Sequence, residues 1–265
     1  MKDPGPGPDR GLLQLEGLAS LPRFVHAFET RQGSLRDMLP APVARVQQVH
    51  GNTVLRLPPD RDQWPPFLEP DTAERPPGDA LITNTVGVTV AVSVADCLPI
   101  LIADPEHGAV AAVHGGWRGL AADIVAAVLA RMGEELGSQP ADCFMGIGPG
   151  IGPCCYEVGA EVIEAFAAVR MQEAALQLPG SSQCNETGSP GAPAHCNLPA
   201  VAAAQARRCG VPEKRIFTVG LCTHCHGDRL WSYRRHGSAA GRLLGGIAVS
   251  PDFSTGGVAS GREGV

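Results

Sequence analysis

The two longest apolar stretches, Val86–Cys97 and Leu98–Val113, lie back to back and are broken by Asp96, Pro99, Asp104 and Pro105. A membrane-spanning helix needs roughly 18 uninterrupted apolar residues, and neither stretch supplies them. The pieces read instead as strands. Val88–Val94 is mostly apolar and is expected to be buried. Pro99–Ala103 and Ala109–His114 follow, the second closed by Gly115-Gly116. With Asp79–Thr83 ahead of them, this strand–turn–strand run from 79 to 114 points to a mixed sheet rather than a doubly wound parallel one.

Around this centre, strands and helices alternate, which makes the chain α/β. Phe24–Phe28 is a short apolar segment. Val43–His50 alternates valine with polar residues, as a half-buried strand does, and ends at the turn Gly51-Asn52. Leu120, Ile124, Val125, Val128, Leu129 and Met132 recur at helical spacing and predict a helix over Gly119–Leu136. Val158–Val169 is a second amphipathic helix. Leu198–Cys209 is a third, with Asn197 as N-cap, Pro199 in the first turn and Gly210 as the stop. Cys143–Ile147, Ile216–Leu221 and Gly245–Val249 read as strands. Residues 1–20 are expected to be a flexible leader, 63–77 a surface loop, 179–194 a mobile loop and 251–265 a flexible tail.

Bulk properties narrow the function classes. The chain has 265 residues and 44% hydrophobic content, enough for a sizeable core. A formal net charge of -6 argues against a nucleic-acid backbone as partner. The first ten residues carry no apolar core of a secretory signal, so the expected compartment is the cytoplasm, away from any membrane. Nine cysteines form no regular framework and read as thiols or metal ligands. No feature names a protein partner.

Three residues stand at the ends of expected strands: His50, Cys97 and His114. One thiolate and two imidazoles suit Zn²⁺, and three protein ligands leave a fourth position open, as catalytic zinc sites do. Copper takes the same donors, although a blue-copper centre adds an axial ligand that the sequence does not reveal. The residues are far apart along the chain. Taken singly, such a histidine is more commonly a hydrogen-bonded structural residue, and such a cysteine a small buried hydrophobe.

Six segments add a resemblance. They are Gln48-Val49-His50-Gly51, Asp79-Ala80-Leu81-Ile82-Thr83, Ala95-Asp96-Cys97-Leu98-Pro99, His114-Gly115-Gly116-Trp117-Arg118-Gly119, Gly146-Ile147-Gly148-Pro149 running on to Cys154-Cys155-Tyr156-Glu157-Val158, and Ser232-Tyr233-Arg234-Arg235. In this order the chain resembles the laccase-domain family, once called multicopper polyphenol oxidases and now described as purine nucleoside phosphorylases. The resemblance runs from about 22 to 250. It implies a single domain with layered mixed β-sheets flanked by helices, occupying 21–250, and His50, Cys97 and His114 as zinc ligands at the catalytic centre. It also implies phosphorolysis of adenosine, inosine and methylthioadenosine to free base and ribose 1-phosphate, with adenosine deamination besides. A copper-dependent polyphenol oxidase, a peptidoglycan-precursor amidase and a non-catalytic zinc module are the alternatives.

Phosphorolysis needs an anion site, and arginine's planar fork matches phosphate oxygens. The substrate-binding candidates are Arg118, which precedes a helix start, Arg235, Arg31 and Arg234. Gln48 lies on the strand face of His50 and suits a substrate hydroxyl or a structural hydrogen bond. Asp96 suits a metal-bound histidine or a turn cap, and His26 is a further lining candidate. Cys222-Thr223-His224-Cys225-His226 has the look of a metal or redox motif, but no second cysteine pair is evident for it. Cys154-Cys155 read as structural thiols.

Overall fold

The computed structural model describes residues 11–68, 75–176 and 194–250. Leader residues 1–10, the tail 251–265 and nearly all of the expected loop 179–194 lie outside the described residues, as does part of the loop 63–77.

In chain order the strands are β1 (Leu12–Leu13), β2 (Phe24–Glu29), β3 (Val43–Ala44), β4 (Val54–Arg56), β5 (Ala80–Thr83), β6 (Thr89–Val94) and β7 (Leu98–Asp104). They continue as β8 (Ala109–Gly115), β9 (Phe144–Ile147), β10 (Glu157–Val158), β11 (Ala194–His195), β12 (Ile216–Thr218) and β13 (Leu243–Val249). The α-helices are α1 (Glu16–Ala19), α2 (Trp117–Ala121), α3 (Ile124–Leu136), α4 (Ala160–Ala168), α5 (Gln172–Ala175), α6 (Leu198–Arg208) and α7 (Tyr233–His236).

Among the described residues the strands form three sheets, in the orders β1-β2-β13-β6-β3, β12-β9-β7-β8-β5-β4 and β10-β11. The two large ones are mixed: β3 runs parallel to β6, β4 to β5 and β12 to β9, while the other pairs are antiparallel. β7 and β8 are buried throughout, and apolar apart from Asp104 and His114, because both of their faces are covered. Ile100, Ile102, Ala111 and Val113 pack with Val125, Val128, Leu129 and Met132 of α3. On the opposite face Leu101, Ala103, Val110 and Ala112 pack with Phe28, Val90, Val92 and Ile247 of the other large sheet. The layers are thus sheet, sheet and helices, and two apolar cores sandwich the central strands. Among the described residues no helix is long and apolar enough to cross a membrane.

Three local expectations differ from what is found. Residues 11–20, expected to be loose, form β1 and α1, and Leu18 is fully buried. The expected helix Gly119–Leu136 is two helices, because Asp123 adopts a left-handed backbone (φ 62°). Asn52 Nδ2 donates to Ala122 O at 2.7 Å, satisfying a carbonyl at the break. Val43–His50 is a regular strand only at Val43–Ala44. Beyond it the backbone pairs irregularly, Arg45 N donating to Phe67 O and Gln47 N to Pro76 O.

Candidate metal centre and cavity

His50, Cys97 and His114 arrive from different pieces of this frame. His114 is the penultimate residue of β8, and Cys97 lies in the bend immediately before β7. His50 ends no strand; it sits in a left-handed turn at φ 62°. A residue with a β-carbon adopts that conformation only under local constraint. The constraint is Asp79, fully buried just ahead of β5. Its Oδ1 accepts from His50 N at 2.8 Å, and its Oδ2 from Gly51 N at 2.7 Å and Val49 N at 3.4 Å. The same Oδ1 meets His114 Nδ1 at 2.8 Å.

One carboxylate therefore shapes the His50 turn and holds the His114 ring. With Nδ1 engaged, Nε2 is the His114 nitrogen left to bind an ion. A ligand atom from each of the three residues lies within 4.8 Å of the others, and the imidazole rings stand edge to face with centroids 4.8 Å apart. Burial pushes the Cys97 thiol up, but hydrogen bonds from His114 and His50 outweigh it and bring the thiol down to about 6. His114 is driven the other way, to about 9: burial opposes its charge, and Asp79 and Cys97 overcome that. The thiolate, the form that binds metal, is already favoured.

Gly116 completes the cradle. A β-carbon there would lie 3.2 Å from Cys97 Sγ, 3.5 Å from His50 Cδ2 and 3.7 Å from His114 Cε1. The donor set, the oriented imidazole and the space kept by Gly116 all fit a resident Zn²⁺.

His50, Cys97 and His114 line one part of a cavity of about 620 Å³. Arg45, Arg75, Arg234 and Arg242 also line it, as do Tyr156 and Tyr233. Asp96, the carboxylate on the same wall, is committed: Thr223 Oγ1 donates to it at 2.6 Å and Arg234 N at 2.6 Å, at the start of α7. It fixes a turn rather than an imidazole.

Of the candidate arginines, Arg234 alone lines this cavity. Its guanidinium donates to Glu157 O at 3.2 Å and lies 5.4 Å from the Tyr156 ring centre. Arg118 is exposed and rests on the Trp117 ring. Arg235 donates to His224 O at 2.8 Å, and Arg31 donates to Gly227 O at 2.7 Å while covering Trp231. These three side chains are engaged away from the cavity lining. Gln48 lines the cavity, but its amide is spent on Ser93, donating to its carbonyl at 2.8 Å and accepting from its N–H at 2.7 Å. His26 is buried in β2, accepts from Leu15 N at 2.9 Å and does not line the cavity.

The chain matches the family model described as multi-copper polyphenol oxidoreductase laccase over residues 25–250. The chain belongs to this family. A purine nucleoside phosphorylase of Bacteroides thetaiotaomicron is 40% identical over 172 residues, which cover 64% of this chain and 60% of the relative. The match therefore spans less than two thirds of that relative's length. One of Deinococcus radiodurans is 32% identical over 92% of this chain and 84% of the relative. Adenosine deaminase RL5, from an unknown prokaryotic organism, is 34% identical over 64% of this chain and 61% of the relative. The crystal structure of the Bacillus licheniformis hypothetical protein YfiH shares the fold, with a TM-score of 0.78 at 23% identity, covering 91% of this chain and 97% of that one.

Proposed function

We propose that the chain is a zinc-dependent purine nucleoside phosphorylase that converts adenosine, inosine and methylthioadenosine to free base and sugar 1-phosphate, and that also deaminates adenosine. The observation that carries this reading is one cavity combining a His50–Cys97–His114 donor set with four guanidinium groups. A phosphate and a nucleoside fit together in a space of that size.

Arg45, Arg75, Arg234 and Arg242 hold the phosphate, whose charge they offset. Tyr156 and Tyr233 offer ring faces to the purine. In the reaction a phosphate oxygen forms a bond to the anomeric carbon while the glycosidic bond breaks. The electron pair leaves on the purine nitrogen, which takes up a proton. When bound, zinc supplies Lewis-acid polarisation of a reactant oxygen. Asp79 keeps His114 in the tautomer that ligation requires.

The test is a product assay with adenosine in phosphate and in phosphate-free buffer, on protein whose metal content has been measured. Adenine and ribose 1-phosphate appearing only with phosphate, and inosine appearing in both, support the reading. Base release that ignores phosphate, or activity that tracks several coppers per chain, defeats it.

A further inference from the structure

Outside this cavity the fold assembles a second donor group that the sequence left incomplete. The Cys222-x-x-Cys225 turn meets the adjacent pair Cys154-Cys155, and the four sulfurs all lie within 4.8 Å of one another. We propose that Cys154, Cys155, Cys222 and Cys225 bind one structural Zn²⁺ in a closed all-thiolate site, separate from the His50–Cys97–His114 centre.

The spacing is that of a coordination shell. Cys155 Sγ and Cys225 Sγ are 3.4 Å apart, and Cys154 Sγ and Cys225 Sγ are 3.6 Å apart. A tetrahedral ion with Zn–S bonds of about 2.3 Å separates its sulfurs by about 3.8 Å. A disulfide would bring two of them to about 2.05 Å, and none of the described cysteines is in one. Sulfurs this close leave room for a single ion but not for the inorganic sulfides of a cluster.

The surroundings suit thiolates. Gly152 N donates to Cys222 Sγ at 3.2 Å. Gly152 also keeps the place clear, since a β-carbon there would come within 3.3 Å of Cys154 Sγ and 3.5 Å of Cys222 Sγ. Four sulfurs gathered this closely are the donor set that a soft cation takes.

The consequence is mechanical. The two cysteine-bearing segments are joined by backbone pairing between Gly150 and Cys222, with Thr223 N donating to Gly150 O at 3.0 Å. One segment carries Ile151 and Tyr156 to the cavity, and the other runs on to Tyr233 and Arg234. An ion linking them fixes two walls of the cavity against each other.

Zinc counting by elemental analysis, with X-ray absorption at the zinc edge, tests this. Wild-type protein is expected to hold two zinc ions per chain, and Cys225→Ser to hold one. A His50→Ala/His114→Ala double variant leaves the four cysteines untouched and should retain one zinc with four sulfurs at about 2.3 Å. The proposal is overturned if that double variant holds no zinc, if its shell contains nitrogen, if the metal is iron, or if intact-mass analysis shows two of the four thiols joined as a disulfide. Loss of zinc from the double variant alone would be a failure of the cysteine site. A wild-type chain whose single zinc has an all-sulfur shell would instead remove the mixed imidazole–thiolate centre and leave this one standing.

Discussion

Replacing Asp79 by asparagine tests the centre at its most constrained point, because the substitution keeps size and shape but turns one acceptor into a donor. Two orientations are available. If the oxygen stays beside His114 and His50 N, the new NH₂ faces the N–H groups of Gly51 and Val49, which the carboxylate now accepts at 2.7 and 3.4 Å. Buried donors then face a donor, at about 1–3 kcal/mol for each group left unsatisfied. The left-handed turn of His50 keeps its bond at His50 N but loses those at Gly51 and Val49. If the amide flips, the NH₂ faces His114 Nδ1, and that nitrogen must accept. The ring is forced into the tautomer with hydrogen on Nε2, the atom that ligation needs. Neither orientation preserves the site. Loss of such an outer partner weakens metal binding by about 10–100-fold, or about 1.4–2.7 kcal/mol. Competition between Asp79→Asn protein and a chromophoric zinc chelator measures this directly, with wild type alongside. Wild-type zinc affinity in a variant whose structure retains the His50 turn would refute the account of Asp79.

Other expectations follow from the same geometry. Gly116→Ala places a β-carbon 3.2 Å from Cys97 Sγ, so zinc affinity should fall by chelator competition while the melting temperature of metal-free protein changes little. Arg75→Ala should raise the KM for phosphate by about tenfold or more through loss of a charge-assisted contact, whereas Arg235→Ala, whose guanidinium is engaged on His224 O, should leave it unchanged; steady-state kinetics at varied phosphate separates the two. Burial lowers His26 to about 4, so below its unfolded value near 6.5 the unfolded chain binds the proton more readily. Stability should therefore decline as pH falls from about 6.5 to about 4 and be unaffected by this group above that window. His26→Gln, which can still accept from Leu15 N, should flatten that decline in denaturant titrations; an unchanged slope would exclude His26 as its source.

How much of this was legible in the sequence depended on the range of the forces involved. The strands at 88–94, 99–103 and 109–114 could be read because burial on both faces leaves a continuous apolar signature, and the structure agrees with each to within one residue at either end. His50, Cys97 and His114 could be named through resemblance, since no spacing rule links residues delivered by separate segments. Asp79 could not be assigned its role. Its partners are backbone N–H groups at 49–51, which have no side-chain signature, and the ring of His114, 35 residues away, whereas Asp96 lies beside a ligand in sequence but bonds Thr223 and Arg234. The arginines illustrate the same limit. Arg118 and Arg234 each follow an aromatic residue, and only three-dimensional placement separates the one resting on Trp117 from the one facing the cavity.

The cysteines carry the argument furthest. A C-x-x-C at 222–225 predicts half of a tetrahedral site and leaves the other half unspecified. Cys209 and Cys196 are the nearest other cysteines along the chain, yet Cys196 is fully buried in the core and Cys209 packs against the same core at the end of α6. The sheet order decides the matter. β9 lies beside β12, so the loop leaving β9 with Cys154-Cys155 and the loop leaving β12 with Cys222 emerge side by side at one edge. Parallel neighbours deliver their following loops to the same end of a sheet, which is also where open α/β sheets place their sites. The same adjacency that brings four thiols together brings Tyr156 and Arg234 to one cavity wall, so loss of the cysteine cluster should loosen that wall before it unfolds the domain.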